Sequence, residues 1–119
     1  VRAALMAGLE RLDLHGVARE RVVLDPGLGF GKTVEQNLEL IRRSDEIRRL
    51  GLPVLSGLSR KSFVGRVALG RDSDPSERLP GTLELSAEHV RAGATLLRVH
   101  DVAEHANLLR DVWVDWKPW

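Results

Sequence analysis

The sequence predicts an α/β fold, a parallel sheet whose strands are joined by helical crossovers. Three observations carry this. Helical and strand-like segments alternate in the order α-β-α-β-α-β-α, and parallel neighbours need a long crossover that is usually a helix. The strand-like segments are short and apolar, as in strands buried within a sheet. The unusual residues all sit just past a strand, at 25 to 32, 59 to 62 and 98 to 101. Loops at strand C-termini carry the ligands in open doubly wound sheets and in closed barrels alike.

The elements follow in order. Residues 1 to 12 place Ala3, Ala4, Leu5, Ala7, Leu9 and Leu12 at mostly helical spacing, and Gly16 ends the segment. Arg21-Val22-Val23-Leu24 reads as a buried strand closed by Asp25-Pro26-Gly27. Thr33 and Gln36 form a T-x-x-Q capping box. A helix is therefore expected from 34 to about 50, with Leu38, Ile41 and Ile47 facing inward and Gly51 at its end.

Pro53-Val54-Leu55-Ser56 is the second strand, and Ser59-Arg60-Lys61-Ser62 precedes a short apolar segment, 63 to 69. Residues 70 to 81 hold two glycines and two prolines and read as loop. The next helix is expected from 82 to about 92, ended by Gly93, and the third strand from 94 to 99. Asp101 and Glu104 form a D-x-x-E start for a last helix, 102 to about 112, and the tail, 113 to 119, is expected to be loose.

A chain of 119 residues makes one small domain. With 43% hydrophobic and 29% charged residues it is globular material. A net charge of +1 without a basic run predicts no nucleic-acid partner. The absence of cysteine excludes disulfides and thiolate metal sites and fits a cytoplasmic protein. No apolar run approaches the ~20 residues of a membrane span, and Arg2, Glu10, Arg11 and Asp13 break any signal-peptide pattern. The chain starts at Val1, so the sequence is expected to begin inside a longer protein.

The stretch 24 to 33, LDPGLGFGKT, suggests a phosphate cradle, but its spacing does not fit one. A P-loop ending at Gly31-Lys32-Thr33 needs a glycine at 26, where Pro26 stands. A dinucleotide fingerprint starting at Gly27 and Gly29 needs a glycine at 32, where Lys32 stands. The remaining readings are a simple Asp-Pro-Gly turn or a loop that presents one acid, Asp25, to a ligand. On the third strand Arg98 and His100 lie two apart and face the same way, which suits an anionic oxygen cluster. Each alone also fits a structural role. Metal binding by His100 is not expected, because no second ligand stands at a suitable spacing.

D-P-G-x-G-F-G-K, then G-x-S-R-K-S, then R-V-H-D-V, following consecutive strands, closely resemble the dihydropteroate synthase family, and SERLPGTL and GATLLRVHDV match as well. The resemblance covers about residues 9 to 109. It implies a folate-pathway (β/α)8 barrel that condenses (7,8-dihydropterin-6-yl)methyl diphosphate with 4-aminobenzoate, releasing diphosphate, and whose aminobenzoate site sulfonamides contest. By that resemblance Asp25 and Lys61 would bind the pterin, and Arg98 and His100 the diphosphate. Phe30 and Ser62 would receive the aminobenzoate, with Gly27, Gly29, Ser59 and Arg60 supporting the loops. Lys32 is left out of the site.

A complete barrel needs ~250 residues, so the resemblance places this chain as the last three βα units of eight, an incomplete barrel over 1–119. The family's other half would supply the protein ligand of a Mg²⁺ ion and further pterin contacts. This segment alone is expected to be inactive, and the full-length protein to be a homodimer. Leu28 and Glu84 depart mildly from the family pattern. Two alternatives remain at this point. One is another pterin-binding barrel, such as a methyltetrahydrofolate-corrinoid methyltransferase, which has no use for the Arg98 and His100 pair. The other is a truncated, non-catalytic dimer module.

Overall fold

A computed structural model describes residues 1–112. Its helices are α1 (Arg2–Leu14), α2 (Val34–Arg42), α3 (Ser44–Arg48), α4 (Ser62–Leu69), α5 (Leu79–Arg91) and α6 (Val102–Val112). Its strands are β1 (Leu55–Ser56) and β2 (Leu96–Leu97). The expected tail, 113 to 119, lies outside the described residues.

The two strands pair in parallel, with Leu55 opposite Leu96 and Ser56 opposite Leu97. Leu24 joins on the other side of β1 through a parallel bridge to Val54, where Leu24 N–H donates to Pro53 O and Leu55 N–H to Leu24 O, both at 2.8 Å. The predicted parallel alternation is present, but its strands are shorter than expected. Residues 19 to 21 form a turn of 3-10 helix in place of a strand start, leaving only Leu24 in register.

Sheet burial is one-sided. Leu24, Val54 and Ser56 are 3%, 0% and 2% exposed, whereas Val23 and Leu96, on the opposite face by the period-two alternation, are 45% and 44% exposed. The inner face packs on helices: Leu24 and Val54 with Leu9 of α1 and Ile47 of α3, and Leu97 with Val90 of α5 and Leu109 of α6. A third cluster joins Leu28, Ile41 and Leu58 to Phe63 and Val64 of α4 and Leu85 of α5.

Two helix boundaries differ from expectation. The single helix predicted over 34 to about 50 breaks at Arg43, separating α2 from α3. There the Ser44 hydroxyl donates to Leu40 O at 2.8 Å, a local bond that competes with the helical ladder. The helix predicted from 82 starts at Leu79, because Pro80 falls in the first turn, where its missing N–H costs nothing. The Thr33–Gln36 capping box is present in both directions. Glu84 is exposed, so it perturbs no packing.

Candidate functional site

The loop after Leu24 is built from its own backbone. Gly27 N–H donates to Asp25 Oδ1 at 2.9 Å, Gly29 N–H to Asn37 Oδ1 at 2.8 Å, and Phe30 N–H to Gly27 O at 3.2 Å. The Lys32 ammonium bonds Gly27 O at 2.6 Å and Phe30 O at 3.0 Å. Three of the loop's amides, those of Gly27, Gly29 and Phe30, are thus taken and not open to a phosphate. Lys32 works as a staple across the turn. Asp25 is exposed at the mouth, and the Gly27 bond fixes its carboxylate while leaving most of its lone pairs open.

Lys61 reaches this loop from the N-cap of α4. Its ammonium bonds Leu28 O and stands 4.1 Å from the centroid of the Phe30 ring. Its stem crosses Gly29 so closely that a Cβ there would lie 2.6 Å from Lys61 Cδ. Burial pushes the Lys61 pKa down, with Arg98 and Lys32 adding to the effect and Asp25 opposing it. Asp25, Lys61 and Arg98 therefore share one electrostatic neighbourhood.

A cavity of about 190 Å³ is lined by Gly57, Ser59, Lys61, Arg98, Val99 and His100. Arg98 enters it because residue 57 has no side chain: a Cβ there would lie 2.7 Å from Arg98 Nη2. Arg98 N–H donates to Ser56 O at 3.0 Å, carrying the β1–β2 register to the site. His100 Nδ1 is 2.8 Å from Ser59 Oγ, which also accepts from His100 N–H at 3.1 Å. Ser62 is exposed at the first residue of α4. Arg60 turns away, into a bidentate ion pair with Asp101. Among the described residues no three His, Asp or Glu side chains gather as metal ligands.

A larger cleft, about 470 Å³, runs between the start of α1 and α2, past Lys32, Glu39, Arg43 and Glu46. Its charges are mixed and it lies away from Asp25, Arg98 and His100. Of the predicted residues, Ser59, Lys61, Arg98 and His100 line the smaller cavity at the strand ends, while Asp25, Phe30 and Ser62 stand outside its lining.

Some residues of the site escape a reading of the sequence. Asn37 is 1% exposed and holds Gly29 N–H and Thr33 O. Its signal is a polar residue on the same helical face as Val34 and Ile41. Gly57 carries no signal, since its neighbour Arg98 is 41 residues on. Asp101 reads as a helix starter, but its carboxylate goes to Arg60, whose guanidinium holds its pKa below the usual carboxylate range.

Comparison with known proteins gives a consistent answer. The family described as pterin binding enzyme matches residues 1–100. A dihydropteroate synthase of Synechocystis is 43% identical over 103 residues, covering 87% of this chain and 35% of its own length. The chain thus spans about a third of that relative's length. The structure of a Xanthomonas albilineans dihydropteroate synthase in complex with 7,8-dihydropteroate superposes with a TM-score of 0.89 at 36% identity, over 98% of this chain and 44% of that one. A Yersinia pestis dihydropteroate synthase, solved with a sulfonamide drug, gives 0.87 at 34% identity, over 94% and 40%.

Proposed function

The chain belongs to the pterin-binding enzyme family, and on that premise we propose that it is the C-terminal part of a dihydropteroate synthase. One observation carries the proposal: Asp25, Lys61 and the Arg98 and His100 pair stand past the ends of three neighbouring parallel chain segments, with Lys61 lining one cavity with Arg98 and His100 and bonding the Asp25 loop at Leu28 O. An acid that accepts paired N–H groups suits the edge of a 2-amino-4-oxo pteridine. A cationic pair beside it suits a diphosphate. A corrinoid methyltransferase has the first need but not the second.

In this reading Asp25 receives two ring N–H donors side by side, and Lys61 donates to a ring acceptor. Arg98 and His100 hold the diphosphate. As the C–O bond breaks, its electron pair leaves with the diphosphate, and those two side chains stabilise the charge. The dihydropterin ring spreads the cation left behind. The aminobenzoate nitrogen then forms the new C–N bond and loses a proton to solvent. Phe30, 67% exposed beside the Lys61 ammonium, walls the second ring, and Ser62 at the start of α4 receives the carboxylate.

The uncovered sheet face, with Val23 and Leu96 exposed, supports residues 1–119 being the last three βα units of a closed barrel, whose other strands would cover it. A Mg²⁺ ion, a homodimer and a cytoplasmic location complete the reading. By the family resemblance we assign the ion's protein ligand to a segment outside this chain and route no step through it. No described helix is long and apolar enough to cross a membrane. The test is turnover of dihydropterin diphosphate with 4-aminobenzoate by the full-length protein. Product formation that requires both substrates is expected, and residues 1–119 alone should give none. A full-length protein that binds the pterin but releases no diphosphate would overturn the synthase reading.

A further inference from the structure

We propose that Arg60 and Asp101 form a clasp that sets the backbone ahead of Lys61, making both positioning residues of the site; this rests on the functional reading above. Among the described residues Arg60 alone has a positive φ without being glycine, at +56°. That conformation is strained for a residue with a side chain and persists only where the surroundings impose it. Here Arg60 is held at four atoms. Nε and Nη2 donate to the two Asp101 oxygens at 3.1 and 2.7 Å. The backbone N–H donates to Thr82 Oγ1 at 3.1 Å, and the carbonyl accepts from Arg78 Nη1 at 2.8 Å.

One edge of the guanidinium, Nε and Nη2, is thus committed to the fold. A second rung lies beside it, Ser59 Oγ against His100 Nδ1 and N–H. Residues 59 and 60 after β1 are matched to 100 and 101 after β2. The bidentate pair fixes orientation as well as distance. Because Lys61 follows Arg60 directly, the left-handed turn decides whether the Lys61 stem crosses Gly29 to reach Leu28 O. Release of the clasp lets residue 60 relax to an ordinary φ and swings Lys61 off the Asp25 loop.

The test compares Arg60→Ala, Arg60→Gly, Asp101→Asn and the Arg60→Ala/Asp101→Asn double variant in the full-length protein. Two readouts are taken: amide hydrogen exchange over 58 to 62 without ligand, and affinity for 6-hydroxymethylpterin. Arg60→Ala and Asp101→Asn should each speed exchange and weaken pterin binding by about tenfold, with the double variant no worse than either. Arg60→Gly, which accepts the positive φ freely, should recover most of the affinity lost in Arg60→Ala. Unchanged exchange in Asp101→Asn overturns the clasp. So does Arg60→Gly binding as weakly as Arg60→Ala while Asp101→Asn binds normally, since the guanidinium would then act on the ligand. Where Arg60→Ala fails to fold, the other two single variants decide. A wild-type protein that binds no pterin would overturn the functional reading, and the exchange readout would still judge the clasp.

Discussion

Gly29 and Lys61 are fitted to each other. A Cβ at residue 29 would stand 2.6 Å from Lys61 Cδ, and Gly29 sits at φ +83°. Its amide is also tied to buried Asn37. Lys61 can therefore lie across the loop only while residue 29 has no side chain. Gly29→Ala is expected to cost about 1–3 kcal/mol through the positive φ. It should also move Lys61 off Leu28 O and the Phe30 ring, weakening pterin binding about tenfold. Urea unfolding and pterin fluorescence titration check the two effects separately. Unchanged pterin affinity would mean that Lys61 does not need this path.

Gly57 makes room for Arg98 in a different way. Its φ is not in the left-handed region, so alanine there meets no backbone strain; its Cβ meets only the Arg98 guanidinium, nearest at Nη2, 2.7 Å away. Gly57→Ala should leave stability within about 0.5 kcal/mol of wild type and push the guanidinium aside. Affinity for inorganic diphosphate, measured by calorimetry, should fall about tenfold while pterin affinity changes little. Equal losses for both ligands would show that Arg98 is not a dedicated diphosphate contact.

His89 predicts a pH dependence. It is 0% exposed, with Nε2 2.7 Å from Ser44 Oγ and Nδ1 2.8 Å from Ser56 Oγ. Ser44 donates its hydroxyl to Leu40 O, so the network assigns the ring proton to Nε2 and makes Nδ1 the acceptor. Burial pushes the imidazole from 6.5 down to about 4, against a small opposing pull from Asp25. Between those values the unfolded chain binds a proton that the folded chain refuses, so stability is full above pH 6.5 and falls toward pH 4. The loss is about 3 kcal/mol from this residue. Glu77, held down to about 2 chiefly by its hydrogen bond from Arg71, acts only below 4.5. Urea unfolding at pH 7, 6 and 5 should show the slope in wild type and a flatter line in His89→Gln. Equal slopes would remove His89 as the cause.

Much of this was readable in the residues. The α/β alternation, the Thr33–Gln36 cap and the three strand-end clusters are local patterns, and local patterns survive folding. The gap left by Pro26 argued against a phosphate cradle, and the amides of Gly27 and Phe30 bond within the loop while that of Gly29 goes to Asn37 of α2. What escaped was long-range or depended on competition. The strand over 21 to 24 shrank to one bridge because residues 19 to 21 close a 3-10 turn. Asp101 had two uses, helix start and ion pair, and its partner lay 41 residues away. His89 and Gly57 act through neighbours that no sequence spacing announces.

Asp25 as the acid that holds the pterin edge is tested most directly by the affinity of full-length Asp25→Asn for 6-hydroxymethylpterin. An asparagine keeps the shape but turns one accepting oxygen into a donor facing the ring's own N–H groups. A loss of at least about tenfold is expected, since a buried polar mismatch costs about 1–3 kcal/mol, with diphosphate affinity retained through Arg98 and His100. Pterin affinity equal to wild type would contradict the assignment.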